Sequence, residues 1–78
     1  MAAVNKQTGN AYENLANAII VQAAEDYRRL LKRAKKNPAN REALDEALQI
    51  ERFFRSGWYQ RLTNVDGEFL ICKLQEDI

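Results

Sequence analysis

The chain has 78 residues, 12 Lys and Arg against 11 Asp and Glu, and a formal net charge of +1. That length allows one domain, and that balance gives no global field to draw in nucleic acid or an anionic membrane. One Cys excludes an intrachain disulfide, and without His or a second Cys a structural zinc site has no ligand set. A domain this small buries only about 60% of its unfolded surface and needs regular helix packing, self-association or both.

The first residues are polar and small, and positions 1–9 are expected to form a mobile tail ahead of a single helical domain at 10–78. The start, Met1 to Lys6, lacks the apolar core of a signal peptide, and no apolar run approaches a membrane span. A free thiol without an export signal fits a reducing cytosol, so a cytoplasmic protein with no membrane partner is expected.

Residues 11–36 carry the clearest pattern. Tyr12, Leu15, Ala16, Ile19, Ile20, Ala23, Tyr27, Leu30, Leu31 and Ala34 recur at the spacing of an amphipathic helix. Asn10 and Glu13 have the spacing of a capping box. Lys35, Lys36, Asn37 and Pro38 mark the end, since cations suit a helix C-terminus and proline disfavours helix at the residue before it. A second helix is predicted from Pro38 or Asn40, with Asn37 as a candidate cap and Glu42, Asp45 and Glu46 in the early turns. Its apolar residues, Ala43, Leu44, Ala47, Leu48, Ile50, Phe53 and Phe54, spread over more than one stripe, which calls for a further packing element or a partner.

Ser56-Gly57 breaks that pattern. Ser56 suits the cap of a short third helix through Trp58, Tyr59 and Leu62. Asp66-Gly67 is a turn signal with two readings: a cap for a last helix from Glu68 to about Glu76, or the turn of a hairpin joining 61–65 to 68–72. The helix is preferred, because strict alternation is absent and Glu68, Leu70, Lys73, Leu74, Gln75 and Glu76 are good helix formers. The predicted fold is all-α: a long N-terminal helix antiparallel to a second helix, with two short C-terminal helices. The expected core is Ile19, Ile20, Tyr27, Leu31, Leu44, Leu48, Phe54, Trp58, Leu70 and Leu74. A homodimer or higher oligomer is expected from the wide apolar face and the small core.

Catalytic constellations are largely missing, and a non-enzymatic protein without cofactor or metal is expected. No His rules out the ordinary Ser-His and Cys-His pairs. There is no phosphate-binding glycine loop. Cys72 sits in an apolar run and reads as a small buried hydrophobe. Asp66-Gly67-Glu68 lacks the rest of a calcium loop.

Two features point to binding. Five of the seven aromatics lie between Phe53 and Phe69, the first four interleaved with arginines in the run Glu51 to Arg61. Phe53, Arg55, Trp58, Tyr59 and Arg61 form a candidate protein interface, because Trp, Tyr and Arg dominate binding energies. Core packing and stacking on nucleobases are the other readings of the same segment. The second feature is the basic run 28–36, which holds six of the twelve cations. Arg28, Arg29, Lys32, Arg33 and Lys36 form an alternative phosphate or nucleic-acid surface, against a solvated helix end as the plain reading.

The stretch 48–74 resembles a pattern in small uncharacterised helical proteins of phages and mobile elements of gut Firmicutes. The matching positions are Glu51-Arg52-Phe53-Phe54, Ser56, Trp58-Tyr59, Leu62-Thr63 and Asp66 to Ile71. The resemblance implies an accessory protein that works by binding a host protein, as those that block defence systems such as CRISPR do, or by binding nucleotide signals or nucleic acid. It implies no residue roles.

Overall fold

A computed structural model describes the backbone from Ala2 to Ile78 and the side chains from Tyr12 onward. The described residues form four helices and no strand: α1 Ala2–Lys36, α2 Arg41–Phe54, α3 Gly57–Leu62 and α4 Gly67–Glu76. The helical reading of 67–76 therefore holds over the hairpin. The helix runs from Ala2, ahead of the predicted start near Asn10; the side chains of the 1–9 tail and of Asn10 lie outside the described residues. At 1.5 Å per residue, 35 residues of α1 account for the 52 Å long axis of the molecule.

α1 and α2 pack as a hairpin across a tight turn. Asn37 N–H donates to Arg33 O at 3.0 Å, and Asn40 N–H donates to Asn37 O at 2.9 Å. The N-cap of α2 is Asn40, whose side chain accepts from Ala43 N–H at 3.1 Å, and not Asn37. Asn37 instead closes the turn, its Oδ1 accepting from Ala39 N–H.

The face α2 turns to α1 is Ala43, Ala47, Ile50 and Phe54, at spacings of four, three and four. The two alanines let the helices approach closely, opposite Tyr27, Leu30 and Ala34 of α1. This register overturns the expected core roles of Leu44 and Leu48. Each sits one position round from a buried alanine, and both are exposed. Ile20, Leu31 and Leu70 are half-buried against the core, and Tyr27, Phe54 and Leu74 are buried as expected. α4 covers one side of the hairpin with Ile71 and Leu74. Its outward face carries Phe69 and Cys72, so Cys72 is exposed and not the buried hydrophobe of the sequence reading.

Tyr27 ties three helices together. Its ring is fully buried, and its hydroxyl donates to Glu51 Oε2 at 2.5 Å and accepts from Gln75 Nε2 at 3.1 Å. Burial, and then the Glu51 hydrogen bond, push its pKa up to about 12.

Candidate protein-binding surface around α3

Ser56 creates the surface by stopping α2 and starting α3. Its hydroxyl donates to Phe53 O at 2.6 Å and accepts from Tyr59 N–H at 3.1 Å, so one side chain caps both helices. The break cancels the four-residue spacing between Phe54 and Trp58, which would have shared a face of a continuous helix. Phe54 stays in the core, and Trp58 is 60% exposed instead of closing it.

Tyr59 takes the inward place. It is 1% exposed and meets Phe53 and Phe54 edge-on, with centroids 5.8 and 5.7 Å apart. Phe54 in turn meets Tyr27 edge-on at 5.9 Å. Edge-to-face packing of this kind adds about 0.5–1.5 kcal/mol per pair beyond burial. Tyr59 is thus a core residue and not an interface residue. Its hydroxyl is buried without a hydrogen-bond partner among the described residues, and burial followed by the charge of Asp66 raises its pKa.

Arg55 is exposed and is ion-paired within the chain. Its guanidinium pairs with Glu68, with Nη2 to Oε1 at 3.3 Å beside a closer Nε contact, and donates from Nη1 to Glu51 Oε1 at 3.2 Å. The Arg55 hydrogen bond holds the Glu68 carboxyl below its ordinary range, and the same bond raises the pKa of Arg55. The pair joins the end of α2 to the start of α4. That junction also needs Gly67: a Cβ there would lie 2.1 Å from Phe54 O. Asp66 stands at the N-cap position but makes no side-chain cap bond.

The five sequence-derived interface residues therefore separate. Trp58, Arg61 and Arg55 are exposed, Arg55 in ion pairs with Glu68 and Glu51, whereas Phe53 is half-buried and Tyr59 is buried. Arg61 borders a hollow of about 440 Å3 shared with Gln60, Leu62 and Thr63 and with Tyr12 and Asn17 of α1. Exposed Val65 and Phe69 were not among those five. Phe69 lay hidden in the apolar run 69–72, where only helical phase separates the inward Leu70 and Ile71 from it.

The basic run also divides. Arg29 pairs with Asp26 at 2.8 Å, and Lys35 Nζ donates to the Ile78 carbonyl at 3.0 Å. Arg28 is half-buried, with a buried Nε that has no partner among the described residues. Lys32, Arg33 and Lys36 are exposed and form no ion pair among the described residues. The described residues contain no group of His, Cys, Asp and Glu that could hold a metal ion, and no helix long and apolar enough to cross a membrane. No family model, curated protein or solved structure matches the chain.

Proposed function

We propose that this protein is a non-enzymatic binding protein that captures a host protein through the outward side of α3, with Trp58 as the anchor and Arg61 beside it. The supporting observation is that Trp58 is exposed although Tyr59, Phe53 and Phe54 already complete the packing beneath α3. A solvent-facing Trp on a braced helix loses little conformational entropy when a partner covers it. The resemblance of 48–74 to proteins of phages and mobile elements makes a cytoplasmic host defence component, such as a CRISPR nuclease, the proposed target.

The test is capture of a host protein by the wild type, by Trp58→Ala and by Arg61→Ala, with circular dichroism on each. Trp58→Ala is expected to weaken capture by at least about 2 kcal/mol, a typical hot-spot loss, with helicity retained. Undiminished capture by a folded Trp58→Ala, Arg61→Ala double variant would sink the proposal. Tyr59→Ala is not a usable probe, since it empties the core.

A second reading, a nucleic-acid or nucleotide binder, is favoured by exposed Lys32, Arg33 and Lys36 at one end of α1. It predicts binding that falls steeply with salt and weakens when these residues are neutralised. A structural homo-oligomer is the third reading, addressed by the molecule's association state.

A further inference from the structure

α4 covers one side of the α1–α2 hairpin, and the side lined by Ile19 and Phe53 is open. A shallow groove of about 440 Å3 lies there between the two helices. Its floor is Ile19, Ala23, Ile50 and Phe53, and its rim is Gln22, Asp26, Glu46 and Gln49. The lining divides along its length. One end is apolar, with Ile19 against Phe53, and exposed Leu15 continues the line one turn back along α1. The other end is acidic, with Asp26 against Glu46, and exposed Glu42 lies one turn further back on α2. Among the described residues no cation lines the groove. Arg29 reaches back to Asp26, whereas Glu46 forms no ion pair among the described residues.

We infer that this groove seats one amphipathic helix of a partner protein, with apolar side chains over Ile19 and Phe53 and Lys or Arg over Glu46, the carboxylate that Arg29 leaves uncompensated. Two helices packed side by side leave a trough that a third fills by the same ridge-into-groove packing. An apolar stripe with anchors one to two turns apart matches the floor, and the charge division sets the sign of the flank and the end of the groove it occupies. The surface is distinct from the Trp58 side of α3. Of the residues discussed there only Phe53 is shared, and Trp58, Arg55 and Arg61 do not line the groove.

Three synthetic helical peptides of equal length test this. They share one leucine stripe and differ only in flanking residues: lysine, glutamate or glutamine. Titrated into the 78-residue chain, the lysine peptide is expected to shift the amide resonances of Ile19, Ala23, Ile50 and Phe53. It should bind about fivefold or more tightly than the glutamate peptide, with the difference shrinking as salt rises. Glu46→Lys, an exposed change that spares the core, should reverse the preference. Trp58→Ala should leave it unchanged, which separates this site from the α3 surface. Equal affinity for the three peptides, shifts outside the groove or no binding would each overturn the inference. So would a stable dimer in which a second copy already covers the groove.

Discussion

Two glycines illustrate how little of a residue's role is visible in its type. A Cβ at Gly57 meets nothing within 4 Å, whereas one at Gly67 would collide with the Phe54 carbonyl. Gly67→Ala is expected to cost about 1–3 kcal/mol, because backbone must shift to admit the methyl. Gly57→Ala should be neutral or stabilising by up to about 1 kcal/mol, by reducing the freedom of the unfolded chain. Urea denaturation of the two variants compares them directly. Equal destabilisation would show that the α2–α4 junction is not as close as described.

Tyr27 and Glu68 give opposite pH signatures. The folded Tyr27 pKa is raised from 10.0 to about 12, so between those values the unfolded state releases a proton that the folded state keeps. Its contribution is complete below pH 10 and is lost as pH rises towards 12, by on the order of 2 kcal/mol. Tyr27→Phe should remove that alkaline component while lowering neutral-pH stability by about 1–2 kcal/mol, through the lost hydrogen bonds to Glu51 Oε2 and from Gln75 Nε2. Stability measured from pH 9 to 12 on both proteins tests it. The Glu68 carboxyl is held low, so its contribution is present above the ordinary carboxylate range and lost as pH falls through its folded value. Both partners of that pair are largely exposed, so the acid loss should be small and further reduced by salt.

Within elements, capping decides where helices begin. Asn40→Ala should cost about 1 kcal/mol, through the lost bond to Ala43 N–H. Ser56→Ala should cost at least as much, since its hydroxyl serves α2 and α3 together. Asp66→Ala should cost less than either, because Asp66 makes no side-chain cap bond. Thermal melts of the three variants give the order. The caps at Ser56 and the punctuation at Asp66-Gly67 were legible because those residue types compete with the backbone locally. The choice between Asn37 and Asn40 was not, since both are good caps and only the turn geometry separates them.

For the whole molecule, the main question is what the exposed apolar residues meet. Trp58, Phe69, Leu48 and Leu15 are more than half exposed on a body whose core closes without them. Light scattering after chromatography, with absorbance at 260 and 280 nm on the same peak, separates the readings. A clean protein ratio with loss of assembly in Trp58→Ala would make α3 a self-association surface. A monomer with a clean ratio fits capture of a different protein. Excess absorbance at 260 nm that disappears with Lys32, Arg33 and Lys36 neutralised would move the function to the basic end of α1.

The sequence by itself determined the class of object: helices at these places, a long first helix, an α2 and α4 each with an inward face, and breaks at Asn37-Pro38, Ser56-Gly57 and Asp66-Gly67. Those are local properties, set by side-chain periodicity and by the few residue types that end helices. It also marked 53–61 as unusual. Tertiary structure alone decided which members of that segment face inward. The break at Ser56 rotates Tyr59 under Phe53 and Phe54 and leaves Trp58 outside, and Arg55 is claimed by a glutamate thirteen positions away. The close α1–α2 approach through Ala43 and Ala47 likewise put Leu44 and Leu48 outside. One residue of helical phase is about 100° of rotation. An apolar-rich helix leaves that angle undecided until its neighbours pack against it.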